Sequence, residues 1–294
     1  MTLPRLVATD LDGTLLRADG TVSARTRRVL AQVEAAGVEV VFVTARPPRW
    51  LGQLADVVGG HGRVVCLGGA AVWDLATSAA LDVCGFADDD ARALVGDLRA
   101  ALPGVAIAFE RVDGPAFDDG FGSPETLDPA WRRGPVEGTL DVGAPPVGKI
   151  LARLPLALAE RAARATTGHG PATAPALATR ADEEFFDRVR AAVGARAFLA
   201  YSGAPGLAEL HPPSITKEAA LARWCEREGV AAADVWAFGD MPNDLPMLRW
   251  AGRGLAVANA HPDVLAAADA VVASNDDDGV ARALEEALAA SSRP

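Results

Sequence analysis

Arg5-Leu6-Val7-Ala8-Thr9-Asp10-Leu11-Asp12-Gly13-Thr14 decides how this chain is read. An apolar run ends in two carboxylates two residues apart, and a glycine and a threonine follow at once. The pattern predicts a buried strand that stops at Asp10 and passes into a tight loop. In open parallel sheets, ligands bind just outside the carboxyl ends of the strands. Asp10 and Asp12 then converge on that rim, with Leu11 pointing away. Two acids held so close repel each other unless a cation or a shared proton relieves them. The loop amides of Leu11, Asp12 and Gly13 can face an anion. A divalent cation with a phosphate meets both demands; a plain strand-to-turn junction with surface acids is the alternative.

Working outward, three other stretches place polar groups at a strand end or a helix start. Val38–Val43 is apolar and ends at Thr44-Ala45-Arg46, where Pro47 and Pro48 stop the strand. Ser23 is positioned to cap the helix before it, which runs to about Ala36 and stops at Gly37. Pro213-Ser214-Ile215-Thr216-Lys217 opens a helix that runs to about Glu228 and closes at Gly229. Lys217 falls in the first turn, the wrong end for a cation beside the helix dipole. A bound anion is the usual compensation; a solvent-exposed lysine is the alternative. The chain has only two lysines, Lys149 and Lys217, so each suggests a place that needs a compact ammonium. Finally, Val235-Trp236-Ala237-Phe238-Gly239-Asp240 is a strand ending in an acid, followed by Met241-Pro242-Asn243-Asp244. Asp240 can complete a cation's ligand set, and Asn243 can hold Asp240 or an anion's oxygen. Asp244 either joins them or caps the next segment. The acids of Ser274-Asn275-Asp276-Asp277-Asp278 read as capping and supporting groups ahead of the last helix.

Between residues 82 and 205 the texture changes. Asp88-Asp89-Asp90 precedes a helix over Ala91–Leu102, and a strand follows at Val105–Phe109. Residues 113–138 are rich in Gly, Pro and Asp. A strand over Lys149–Leu154, helices over Ala157–Thr166 and Glu183–Val193, and a strand over Ala197–Tyr201 complete a small α/β or α+β domain. It interrupts a core made of residues 1–81 and 206–294.

Composition narrows the partners. The 294 residues are half hydrophobic and carry a net charge of −11, which argues against nucleic-acid surfaces and anionic membranes. There is neither an apolar run of about 18 residues nor a signal-peptide pattern. Cys66, Cys84 and Cys225 form no metal-ligand spacing. The expectation is a cytoplasmic protein, monomer or homodimer, with a small-molecule partner.

Taken together, the four stretches resemble the haloacid dehalogenase (HAD) superfamily, and within it the Cof-like, type IIB phosphatases. Asp10-Leu11-Asp12-Gly13-Thr14-Leu15-Leu16 resembles the first motif, Thr44 the second, Lys217 before its helix the third, and Gly239-Asp240 with Asn243-Asp244 the fourth. The likeness covers roughly residues 3–82 and 206–290. Ala45 and Glu218 stand where glycines are usual, and Gly68-Gly69-Ala70 stands where Asn-Gly-Ala is usual. The resemblance implies a Rossmann-like parallel-sheet core with an inserted α/β cap. It implies a Mg2+-dependent phosphatase acting on small phosphate monoesters, such as a sugar phosphate, a nucleotide or a flavin-related phosphate. Asp10 is then the nucleophile of an aspartyl-phosphate mechanism and Asp12 the acid–base. Mg2+ is held by the carboxylates of Asp10 and Asp240 and the backbone carbonyl of Asp12. Leu11, Thr44, Ala45, Lys217 and Asn243 hold the phosphoryl group, and the cap is expected to close over the site and choose the leaving group. Two other readings stay open: a phosphomutase or phosphotransferase on the same fold, and a non-catalytic phospholigand-binding protein.

Overall fold

Leu6–Asp10 forms strand β1 of the computed structural model, and all five of its residues are buried. The structure describes residues 3–52, 54, 62–122, 128, 130–140, 143–154, 180–201 and 206–291. A strand covered on both faces reads as an unbroken apolar run, as Leu6-Val7-Ala8 does. Its neighbours are β2 (Glu39–Val43) and β12 (Val235–Gly239), both parallel to it. Beyond β2 lie β3 (Arg63–Cys66) and an antiparallel hairpin, β4 (Ala71–Asp74) and β5 (Ala79–Val83). Beyond β12 lie β13 (Arg253–Val257) and β14 (Ala270–Val272). The sheet order is therefore β14-β13-β12-β1-β2-β3-β4-β5. The chain builds one way from β1 to β3, then returns to build the other way from β12 to β14. That reversal makes the carboxyl end of β1 a topological switch point, where open α/β sheets hold ligands.

The helices of this unit follow their sequence signals. α1 (Ala24–Ala35) is capped by Ser23, whose hydroxyl accepts from the Thr26 amide at 3.0 Å, and it buries Val29, Leu30 and Val33. α4 (Lys217–Glu228) is capped by Thr216, which accepts from the Ala219 amide at 3.0 Å, and ends at Gly229 in the left-handed region at φ +65°. α5 (Leu245–Trp250), α6 (Pro262–Ala267) and α7 (Gly279–Ser291) belong to the same unit.

The inserted unit has its own sheet. Its order is β10-β11-β9-β6-β7-β8, from β6 (Ala106–Glu110), β7 (Ala116–Phe117), β8 (Arg132–Arg133), β9 (Lys149–Arg153), β10 (Phe198–Tyr201) and β11 (Leu207–His211). Side chains of alternating parity form two clusters. Ile107, Phe109 and Ile150 pack with residues of α2 (Asp88–Ala101) and α3 (Arg180–Val193). Ala106, Ala108, Leu151 and Leu207 pack with Phe117 and Phe121.

Three expectations need correction or limits. The insert spans Cys84–Pro213 rather than 82–205, because Leu207–His211 pairs with β10 and β9 instead of returning to the first sheet. Asp88, Asp89 and Asp90 lie inside the first turn of α2, where they suit the dipole without capping it. The helix expected over Ala157–Thr166 lies outside the described residues.

Candidate active site

Three elements distant in sequence bring their polar ends together. β1 delivers Asp10 to its carboxyl end, the adjacent β12 is followed directly by Asp240, and α4 begins at Lys217; all three are buried. Lys217 Nζ donates to Asp10 Oδ1 at 2.5 Å and to Asp244 Oδ1 at 2.7 Å. Asp244 thus joins the cluster instead of capping the helix after it. Its second oxygen, Oδ2, accepts from the amides of Asp240 and Met241, both at 3.1 Å, and closes the turn between them. Asp240 is held as well: Thr14 Oγ1 donates to its Oδ1 at 2.8 Å.

The loop after β1 is shaped to admit this. Gly13 sits at φ +86°, and a Cβ there would collide with the Asp240 carboxylate. The Gly13 carbonyl accepts from Asn259 Nδ2 at 2.7 Å, and the Leu16 carbonyl accepts from Asn275 Nδ2 at 2.9 Å. Asp276 accepts from the Ala18 amide at 2.9 Å, and Asp278 pairs with Arg17 at 2.9 Å. Asp276 and Asp278 therefore brace the front loop, in keeping with their reading as supporting groups.

Thr44 leaves the end of β2 buried, and its hydroxyl accepts from the Arg46 amide at 3.1 Å. The turn at Leu67-Gly68-Gly69 runs beside it, with the Gly68 amide donating to the Thr44 carbonyl at 3.1 Å. Gly68 has φ +68° and ψ +16°, a left-handed conformation that glycine and asparagine both tolerate. Glycine in place of the usual asparagine therefore keeps the turn and gives up only a side chain. Gly69 lies against the start of α4: a Cβ would come within 3.2 Å of the Lys217 amide nitrogen and closer still to Thr216.

Asp12 parts company with the cluster. Its side chain is 56 % exposed and is gripped at both oxygens by the Arg46 guanidinium, with Nε at 2.9 Å from Oδ2 and the second contact from Nη2 to Oδ1. Leu11 is buried and its carbonyl accepts from the Leu15 and Leu16 amides at 3.1 and 2.8 Å. Ala45 is half-buried, and Asn243 is exposed in the turn Pro242–Asp244. Glu218 is the second residue of α4 and its first-turn acid.

The charges do not balance. Burial pushes the Asp10 carboxyl well up, Asp244 and Asp240 push the same way, and Lys217 opposes them. Asp240 is likewise raised by burial, against the Thr14 hydrogen bond. Lys217 is held as an ammonium: burial alone would neutralise it, but Asp10 and Asp244 outweigh that cost. One ammonium thus faces three carboxylates. Asp10, Asp240 and Asp244 each offer an oxygen, all within 4.8 Å of one another. An all-oxygen anionic set of this kind fits a hard divalent cation such as Mg2+.

Sequence reasoning did not assign Thr14, Asp244 as the lysine's second partner, or Arg46. Thr14 lay inside the decisive stretch, and its hydroxyl next to Gly13 was the available signal. Arg46 was quoted with Thr44 at the strand end, but its partner, 34 positions away, was not.

The chain is similar to known proteins over most of its length. The profile of the haloacid dehalogenase-like hydrolases matches residues 7–120 and 173–284. YxeH of Bacillus subtilis (strain 168), whose name provisionally assigns a phosphatase, is 29% identical over 296 residues, covering 97% of this chain and 99% of its own. The 5-amino-6-(5-phospho-D-ribitylamino)uracil phosphatase YcsE of the same organism is 39% identical over 83 residues, 28% of this chain and 33% of its own. Among solved structures, BT1666 from Bacteroides thetaiotaomicron, a phosphatase of the haloalkanoate superfamily, superposes with a TM-score of 0.74 at 21% identity. That match covers 97% of this chain and 95% of the other, and shows a shared fold. With both core segments and part of the insert matched, more than half of the chain, the chain belongs to the haloacid dehalogenase-like hydrolase family.

Proposed function

We propose that the chain is a Mg2+-dependent phosphatase that hydrolyses small phosphate monoesters through a phosphorylated Asp10. The observation that carries this reading is the buried set Asp10, Asp240 and Asp244 around a single Lys217 at the switch point of the sheet. A carboxylate at that rim, held from one side by an ammonium, is suited to in-line attack on phosphorus.

In the first half-reaction an Asp10 oxygen forms a bond to phosphorus as the ester P–O bond breaks, and Asp12 gives its proton to the leaving oxygen. In the second, water attacks phosphorus, Asp12 takes its proton, and the Asp10–phosphorus bond breaks to release phosphate. Lys217 spends two N–H groups on Asp10 and Asp244, leaving the third for a phosphoryl oxygen. Thr44, the Leu11 and Ala45 amides and Asn243 are assigned to the remaining oxygens. Asp10, Asp240 and the Asp12 carbonyl would hold Mg2+, which when bound would supply further positive charge against the transferring group. Asp244, with one oxygen on Lys217 and the other on two amides, is assigned to positioning.

We assign the choice of leaving group to the inserted unit, so substitutions within residues 113–138 should reorder preference among esters and change hydrolysis of a minimal aryl phosphate much less. The decisive experiment is phosphate release over a panel of sugar, nucleotide and flavin-related phosphates with Mg2+. EDTA should stop release and Mg2+ should restore it. Full release in metal-free buffer, or none from any ester, would overturn the reading.

A further inference from the structure

Arg46 makes the contact that the reaction scheme leaves without a purpose. Its guanidinium takes both oxygens of Asp12, the group proposed to carry the proton. A surface ion pair of this kind is ordinarily worth about 0–1 kcal/mol and explains nothing. Two features set this one apart. The Arg46 backbone is pinned at both ends: its amide donates to Thr44 Oγ1 at 3.1 Å, and its carbonyl accepts from the Leu67 amide at 3.0 Å. The guanidinium is thereby tied to the same Thr44 that is assigned to the phosphoryl oxygens. Asp12, in contrast, has an exposed side chain. A two-point fork fixes both the position and the plane of a carboxylate, which a single hydrogen bond does not do.

We propose that Arg46 is the positioning residue for Asp12: it holds the Asp12 carboxylate in the orientation that accepts a proton from water when the phosphorylated Asp10 is hydrolysed. This inference rests on the phosphatase reading above. Asp12 is a carboxylic acid when it protonates the leaving oxygen and a carboxylate once it has done so. The carboxylate accepts both N–H groups of the fork much more strongly than the acid does. Arg46 therefore serves the second half-reaction, after the proton has left Asp12. No atom is transferred to or from Arg46. The water proton goes to Asp12, the water oxygen to phosphorus, and the electron pair of the broken bond returns to the Asp10 oxygen.

The test uses the full chain with Mg2+ and an activated aryl phosphate, whose leaving group needs no acid. Arg46→Ala should lower steady-state turnover by about 10- to 100-fold, the scale of a misplaced catalytic group. The release of the first equivalent of phenolate should stay fast, and the phosphorylated protein should accumulate on quenching. Arg46→Lys should recover little, and added methylguanidinium should restore part of the turnover of Arg46→Ala without changing that of the wild type. In an Asp12→Asn background, Arg46→Ala should cost nothing more. Multiplying losses in that double variant would overturn the proposal, as would equal slowing of both half-reactions. Should Arg46→Ala fail to fold, Arg46→Lys carries the same readouts, and wild-type levels of the phosphorylated protein in it would count against the role. If the wild type itself releases no phosphate, it is the phosphatase reading that has failed, and phenolate release distinguishes that case.

Discussion

The chain's two lysines are both buried and both paired with carboxylates, yet the two surroundings behave in opposite ways. In the inserted unit, Lys149 Nζ donates to Glu209 Oε2 at 2.8 Å, and His211 stands beside them. Burial acts to raise the Glu209 carboxyl, but His211 and Lys149 together pull it down to about 2. In the core, Lys217 is no less close to its partners, but Asp10 and Asp240 are still pushed up. Around Lys149 the neighbouring cations outweigh burial and keep Glu209 a settled carboxylate. A lysine among three leaves negative charge that something else must neutralise. The comparison teaches that burial and pairing mark structure, and that charge imbalance marks a place for a ligand.

Four experiments break or sharpen that contrast. The largest effect is expected in the inserted unit: Lys149→Met strands a buried Glu209 and should cost about 3–5 kcal/mol. Hydrogen exchange of the β9 and β11 amides reads it, and protection at the wild-type level would contradict the pairing. In the core, Lys217→Ala should raise the barrier by about 2–4 kcal/mol, read as a fall in kcat, with Lys217→Arg a poor substitute. Unchanged kinetics in both variants would return Lys217 to a structural role.

Acid should act on the two clusters with opposite sign. The folded pKa of Glu209 lies below its ordinary value of 4.5, so the unfolded chain binds the extra proton. Its stabilisation is present above about pH 4.5 and is lost as pH falls towards about 2, a difference on the order of 3 kcal/mol. Burial also depresses His211 below 6.5, so a further loss begins as pH falls from there. Asp10 and Asp240 are raised above 3.8, so their contribution is greatest below that value and is lost as pH rises through their folded pKa. Exchange protection between pH 6.5 and 4 should therefore decline in β9 and β11 before it declines in β1 and β12. The reverse order would show that the directions are misassigned. The smallest effect is thermal: Mg2+ at ten times its dissociation constant should stabilise the wild type by about 1.4 kcal/mol. That is a rise of a few degrees in Tm. Asp240→Asn should remove the rise and Lys149→Met should keep it.

Much of the core was legible because its signals are local. A buried parallel strand must be apolar throughout, a cap needs its hydroxyl, and a strand-end acid has to be written at the strand end. Asp10, Thr44, Lys217 and Asp240 stand at the strand ends and the helix start that these signals indicate. The boundary at Pro213 was not legible, since the apolar residues of Leu207–His211 satisfy either sheet and only its pairing partner decides. Asp244 was half legible, because a carboxylate before a helix reads as a cap until its second oxygen is seen on a lysine. Arg46 was quoted for the turn it follows, but a contact between two loops leaves no periodic trace.

The most direct test is chemical. In Asp12→Asn the phosphoryl group should still transfer from an activated aryl phosphate to Asp10, because that leaving group needs no proton, and it should then persist for want of a base. Steady-state turnover should fall by roughly 10²–10⁴-fold. Rapid quenching followed by intact-mass and peptide analysis should show one phosphoryl adduct, located on Asp10 and absent from Asp10→Asn. An adduct on another residue, or near-normal turnover without one, would contradict the assignment of Asp10 and Asp12.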